Sequence, residues 1–196
     1  RIRGTRFNYV INATGTSAET SDADSNELDR YFLKVIRSSS DLIITTGGTA
    51  DGPRDYVKPA LKNLSATMVI DCAKVRPGYH VLLARVAKSG RDVAFLALPG
   101  NPQSALAALY SFGEPLIASL LGASGKEAIE VELSYSLTTP EGFSRLVPGT
   151  VNGKIFIPTA YLGSAMLRGV AHAQGFALIS PGVNPAGTTA RWIPFI

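Results

Sequence analysis

Residues 41–55 read Asp-Leu-Ile-Ile-Thr-Thr-Gly-Gly-Thr-Ala-Asp-Gly-Pro-Arg-Asp. The brief, continuous apolar run Asp41–Thr45 meets Gly47-Gly48 at once. A strand covered on both faces reads as an unbroken apolar run rather than an alternating one. The run is also too short for a helix. The polar loop 46–55 therefore leaves the carboxyl end of a buried parallel strand, the edge at which open α/β sheets take ligands. Gly47 and Gly48 let the backbone come close to a guest and aim its N–H groups at an anion. Thr46 and Thr49 add hydroxyl donors, and Asp55, where the loop becomes a helix, is a carboxylate suited to Mg2+. A bare Gly-Gly after a strand is usually a plain turn; the length and polarity of this loop favour function.

A second stretch has the same design. Leu98-Pro99-Gly100-Asn101-Pro102-Gln103-Ser104-Ala105 follows the apolar run Val93–Leu98 and opens a helix expected over Asn101–Leu121, ending at Gly122. Asn101 fits the N-cap, Pro102 the first helical position and Ser104 the third. Taken alone this is a well-made helix start. Two such loops on one sheet edge form an anion-binding crevice.

Working outward, Phe7–Ala13 reads as a short helical segment, Ser17–Thr20 as a strand, and Asn26–Ser38 as a helix with Leu28, Phe32, Val35 and Ile36 at helical spacing. Asp55–Asn63 reads as a helix and Thr67–Ile70 as a strand. Val81–Val86 and Val93–Leu98 form a hairpin across a Gly90-containing turn. After Gly122 the pattern changes to short β runs broken by Pro and Gly: Ile129–Leu137, Arg145–Val151, Lys154–Ile157, Phe176–Ile179 and Thr188–Ile193. Asn152-Gly153 marks a hairpin. The expected fold is α/β, a three-layer, mostly parallel sheet over 1–123, followed by a small all-β barrel-like domain over 124–196.

The 196 residues are 45% hydrophobic and 17% charged, a globular composition with a net charge of +4. The excess is spread thinly, with no basic run of the kind that grips nucleic acid. No apolar run approaches the roughly 18 residues of a membrane span. A single cysteine, Cys72, excludes an intrachain disulfide and points to a reducing, cytoplasmic setting. The chain opens at Arg1 and reads as a piece of a longer protein.

The wording Thr-Thr-Gly-Gly…Asp55-Tyr56-Val57-Lys58, then Arg76-Pro77-Gly78, then Leu-Pro-Gly-Asn-Pro-Gln-Ser-Ala resembles the MoeA (gephyrin E-domain) family of molybdopterin molybdenumtransferases. The resemblance is strongest from Asp41 to Gly122. It implies insertion of molybdate into adenylylated molybdopterin with release of AMP, assisted by Mg2+, in a homodimer of the full-length protein. It assigns catalytic roles to Asp55, Asp24 and Arg76, with Asp55 also as metal ligand. It places substrate on Thr46, Gly47, Gly48, Thr49, Lys58, Pro99, Gly100, Asn101, Pro102 and Ser104, and on Arg145 and the pair Gly163-Ser164 in the β part. The partners implied are a small anionic pterin and molybdate, without nucleic acid or membrane, and the fragment alone is expected to be inactive.

The sequence departs from the family where K-x-x-x-K-P-G-K-P is usual. Here Cys72 to His80 read Cys-Ala-Lys-Val-Arg-Pro-Gly-Tyr-His, so that only Arg76 keeps a cation in place and Cys72, Tyr79 and His80 replace two lysines and a proline. Two alternatives stand beside the transferase: a related adenylyltransferase of the MogA kind, against which Arg76-Pro77-Gly78 and the β tail argue, and a non-catalytic pterin-binding module, which the lost lysines permit. Cys72 is expected as a small buried side chain and His80 at the surface. His172 has no metal-spaced partner, Ser164 lacks a nucleophile-elbow context, and Trp192 and Phe195 are expected in the core of the β part.

Overall fold

The computed structural model describes residues 10–12, 33, 40–53, 55–88, 90–123, 129–160 and 167–195. In chain order its elements are β1 (Val10–Asn12), β2 (Leu42–Thr46), α1 (Val57–Asn63), β3 (Thr67–Asp71), β4 (Val75–Arg76), β5 (Leu82–Lys88) and β6 (Arg91–Leu98). A continuous helical stretch follows: α2 (Pro102–Ala108), a π-helical turn (Leu109–Gly113) and α3 (Glu114–Leu120). The remainder is β7 (Ile129–Leu133), β8 (Leu137–Thr139), β9 (Ser144–Asn152), β10 (Ile155–Pro158), α4 (Leu167–Ala171), β11 (Gly175–Ile179), β12 (Gly182–Asn184) and β13 (Thr189–Pro194). No helix among the described residues is long and apolar enough to cross a membrane.

The chain divides into two compact units. The first gathers Arg1–Ala73, His80–Gly100 and Ser119–Ala123; the second gathers Lys74–Tyr79, Asn101–Ala118 and Ser124–Ile196.

The first unit holds a five-stranded sheet in the order β1-β2-β6-β5-β3. The pairings β1–β2 and β2–β6 are parallel, β6–β5 and β5–β3 antiparallel, so the described sheet is mixed. Its centre is apolar for the reason anticipated: Leu42, Ile43, Phe95, Leu96, Ala97 and Leu98 are all buried, successive residues pointing to opposite covered faces. β5 instead buries Leu82, Ala84 and Val86 while Arg85 and Ala87 stay exposed, the alternation of a half-covered strand. In α1, Val57, Ala60 and Leu61 at helical spacing pack with Ile43, Leu82 and Phe95.

The second unit is built on a closed ring of strands, β10-β7-β13-β11-β9, completed by the β10–β9 pairing, with β4 added in parallel to β9. This is the barrel-like β domain expected from the sequence. The Asn152-Gly153 signal is a hairpin with Ile155 opposite Asn152. Val131, Leu133, Val147, Phe156, Ala177, Ile179 and Trp192 fill the interior. Phe195 packs edge-on to Phe176, ring centroids 5.0 Å apart.

Two expectations are corrected. Within Phe7–Ala13, Val10–Asn12 form a strand parallel to β2, not a helix; a short apolar run carries too few residues to separate the two periods, and pairing beside β2 decides it. The run Ile129–Leu137 is two strands, broken at Ser134-Tyr135-Ser136. The segments Ser17–Thr20 and, apart from Leu33, Asn26–Ser38 lie outside the described residues.

The barrel closes through two glycines that face each other, Gly149 on β9 and Gly175 on β11. A Cβ on Gly149 would lie 2.5 Å from the Ile157 carbonyl oxygen and 2.6 Å from the Phe156 ring, and one on Gly175 would lie 2.7 Å from Trp192. We expect Gly149→Ala and Gly175→Ala each to lower stability by about 1–3 kcal/mol, read as a fall in the urea midpoint with an unchanged slope.

Candidate functional site

In the first unit, β2 and β6 run side by side in parallel, Thr46 opposite Leu98, and both end at the same level. The Gly47 N–H extends the ladder one step further by donating to the Leu98 carbonyl at 2.9 Å. Gly47 and Gly48 then take φ of +82° and +67°, the left-handed region in which a side chain costs about 1–2 kcal/mol. Opposite them, a Cβ on Gly100 would sit 3.3 Å from the Gly47 Cα. The two loops named by the sequence thus start at one sheet edge and touch backbone to backbone. Among the described residues, the Gly47 backbone is all that a Cβ on Gly100 would meet within 4 Å.

The first loop is tied at several points. The Val57 N–H donates to the Gly48 carbonyl at 3.2 Å. The Asp55 N–H donates to the Gly52 carbonyl at 3.0 Å, and the Gly52 N–H returns a bond to Asp55 Oδ2 at 2.9 Å. One Asp55 oxygen is thereby used within the loop. Among the described residues no group of three His, Cys, Asp or Glu is arranged to hold a metal. Mg2+, however, is ordinarily held by one or two carboxylates together with waters and substrate phosphates, so the half-buried Asp55 fits a Mg2+ ion that arrives with a phosphate. Thr46 is half-buried, whereas Thr49 is buried.

Lys58, the second residue of α1, is held by carboxylates. Its Nζ lies 2.9 Å from Asp71 Oδ1 and 3.1 Å from Asp51 Oδ1, and 3.8 Å from Cys72 Sγ. The Asp71 hydrogen bond, opposed by burial and supported by Asp51, holds the ammonium above the usual lysine range. Its contribution to stability is therefore fully present below about pH 10 and lost only as the pH rises through the raised value. Cys72 is half-buried against the core of the first unit, in the left-handed region at φ +64°, its N–H donating to the Val81 carbonyl at 3.1 Å. Burial pushes its thiol up, with Lys58 pulling the other way. His80, expected at the surface, is half-buried.

In the second unit, Asn101 caps α2: its Oδ1 accepts from the Ser104 N–H at 3.0 Å, and Pro102 takes the first helical position. The Ser104 amide is thus committed to the cap. Gln103, the variable position of that motif, is buried, and its Oε1 has no hydrogen-bond partner among the described residues. No sequence signal marked it, since only burial makes an amide carbonyl conspicuous. The Arg76-Pro77-Gly78 turn packs on the same helix, a Cβ on Gly78 lying 3.8 Å from the Ser104 carbonyl oxygen. Arg76 and Arg145 are direct register partners on β4 and β9. The Arg76 guanidinium lies over the Phe143 ring, 4.4 Å from its centroid, and Tyr79 meets that ring edge-on at 5.6 Å. Two guanidinium-bearing positions side by side are suited to an oxyanion. Asp24, Gly163 and Ser164 lie outside the described residues.

The sequence profile of the family described as "probable molybdopterin binding domain" matches residues 9–119. The molybdopterin molybdenumtransferase of Staphylococcus epidermidis is 27% identical over 167 residues, 82% of this chain and 39% of that protein. The enzyme of the same name from Bacillus subtilis is 27% identical over 168 residues, 82% of this chain and 38% of its own. The chain thus spans about two-fifths of the length of these curated relatives. Among solved structures, the molybdopterin biosynthesis MoeA protein from Pyrococcus horikosii superposes with a TM-score of 0.66 at 20% identity, over 88% of this chain and 41% of that one. A molybdenum cofactor biosynthesis protein from Pyrococcus furiosus gives 0.65 at 13% identity, over 95% and 66%. These two show the fold.

Two outcomes follow from the local geometry. Asn101→Ala should cost about 1 kcal/mol by removing the cap, and Asn101→Asp should restore most of it, both read by thermal melting. Cys72 should react with iodoacetamide at pH 8 more slowly than an unstructured cysteine peptide, the rate climbing as the pH passes the ordinary thiol range; equal rates at pH 8 would contradict the raised thiol.

Proposed function

Since this chain belongs to the molybdopterin-binding domain family, we propose that it is the pterin- and molybdate-handling part of a molybdopterin molybdenumtransferase, the whole of which inserts molybdate into adenylylated molybdopterin with release of AMP. The observation that carries this reading is the contact of Gly47 with Gly100, which brings two strand-end loops together with no side chain between them. Phosphate-bearing ligands are held by backbone amides at such places because their charge is delocalised over oxygens that accept short N–H bonds. Gly47, Gly48, Thr46 and Thr49 are the pterin-phosphate residues of the first loop, with Pro99 and Gly100 those of the second. In the other unit, Asn101, Pro102 and Ser104 fix the helix start, and Arg76 and Arg145 offer cations to an oxyanion.

Asp55 would hold Mg2+, which offsets the charge of a phosphoanhydride and polarises it for cleavage. Asp24 and Ser164 are carried in this reading as a second acidic residue and a molybdate contact. The pterin-binding domain is assigned to 1–123 and the barrel domain to 124–196, with β4 lent to the barrel sheet. The full-length protein is assigned to the cytoplasm as a homodimer, and this chain alone is expected to lack insertion activity.

The test is equilibrium titration of molybdopterin, then of molybdate, into this chain under anaerobic conditions. Saturable pterin binding that falls at least tenfold in Gly48→Val, where a β-branched side chain is forced into the left-handed region, is the expected result, a loss of about 1.4 kcal/mol. Unchanged binding by Gly48→Val would refute the loop assignment. Pterin binding with no response to molybdate would favour a non-catalytic binding module.

A further inference from the structure

Lys58 carries the only ammonium shown beside the first loop among the described residues, and a lysine next to a phosphate-facing loop is ordinarily read as an anion ligand. Its surroundings point elsewhere. Three segments meet on one Nζ: the loop through Asp51, the end of β3 through Asp71, and α1 through Lys58 itself. One cation shared by two carboxylates is a cluster with a net charge of −1. A phosphate oxygen approaching Nζ would have to displace a carboxylate already in contact, and would meet the other at close range. Moreover, Asp51 and Asp71 lie at neither of the spacings, i+3 and i+4, at which helix side chains pair by default. The lysine bridges outward from its helix and ties the loop to the end of β3.

We infer that Asp51 and Asp71 are positioning residues that make Lys58 a staple of the loop 46–55, so that the anion is received by the backbone of that loop beyond Gly47 and not by the lysine. This rests on the proposed binding role of that loop. The same loop is anchored at its base by Gly47 to Leu98, at its end by Gly48 to Val57 and within its turn by Gly52 to Asp55, while Asp51 lies among these ties with no backbone–backbone bond of its own shown among the described residues. The staple acts at that point. The raised ammonium agrees with it, since the charge that holds the loop persists across the working pH range.

The experiment compares Lys58→Met, the double variant Asp51→Asn/Asp71→Asn, and Lys58→Arg in the whole chain. Hydrogen–deuterium exchange is followed at the amides of 48–52, with those of Phe95–Ala97 on β6 as internal reference, and molybdopterin is titrated in parallel. Both Lys58→Met and the double variant should accelerate loop exchange by roughly three- to tenfold, a size set by partly exposed ion pairs. β6 should not change, Lys58→Arg should stay near wild type, and pterin affinity should fall in both disruptive variants. The opposite pattern overturns the proposal: loop exchange unaltered, with the double variant binding pterin more tightly and Lys58→Met more weakly, makes the lysine a direct ligand that the carboxylates restrain. Equal acceleration in β6 also overturns it, as a general loss of stability. Exchange is read without ligand, so if the wild-type chain binds no molybdopterin the functional reading fails while the staple is still decided.

Discussion

Everything at the candidate site depends on one close approach, the backbone of Gly100 against that of Gly47. Parallel strands β2 and β6 end level, and the added bond from the Gly47 N–H to Leu98 holds the two exits at ladder spacing. At that spacing a side chain at Gly100 would crowd the Gly47 backbone, and Gly47 and Gly48 must also turn through the left-handed region. A side chain at Gly100 would press on the Gly47 backbone and push the two loops apart by a few tenths of an ångström. The start of α1 depends on the same contact, because the Val57 N–H finds its acceptor in Gly48, inside the turn that the contact shapes.

The second unit meets the complementary demand by closing its sheet. β10 pairs antiparallel with β9 and parallel with β7, so that the ring leaves no long open edge. β9 is the longest strand, and its two ends do different work: Gly149–Asn152 complete the ring with β10, while Ser144 and Arg145 receive β4. The facing pair Gly149 and Gly175 gives Phe156 and Trp192 the volume to pack, their centroids 5.6 Å apart. The pairing of β4 with β9 is what sets the Arg145 and Arg76 backbones side by side, a register held by main-chain bonds.

What the sequence disclosed follows from the range of the forces involved. β2, β6 and the Asn101 cap are written in contiguous residues, by apolar runs and helix-start chemistry, and were legible. So were the Asn152-Gly153 hairpin and the barrel-like character of the tail. β1 was read as a helix because its strand nature comes from β2, some 30 residues on. The break within Ile129–Leu137 was hidden because Ser134-Tyr135-Ser136 carries no Gly or Pro. The Asp51 and Asp71 partners of Lys58, the opposition of Gly149 and Gly175, and the buried carbonyl of Gln103 are tertiary facts. They have no periodicity to betray them.

The replacement of cations around Cys72–His80 bears on how such a site diverges. A backbone cradle is indifferent to most side-chain changes, provided its glycines remain, and Gly47, Gly48 and Gly100 all do. The side-chain charges are a different matter. Position 72, where the resemblance leads one to expect a lysine, carries a half-buried thiol, and the nearest ammonium, Lys58, is bound to Asp51 and Asp71. In the second unit two of the cations, Arg76 and Arg145, are register partners on neighbouring strands. Main-chain geometry of this kind survives the exchange of neighbouring side chains, because the left-handed turns at Gly47 and Gly48 and the approach of Gly100 to Gly47 depend on small residues and not on the charge at position 72.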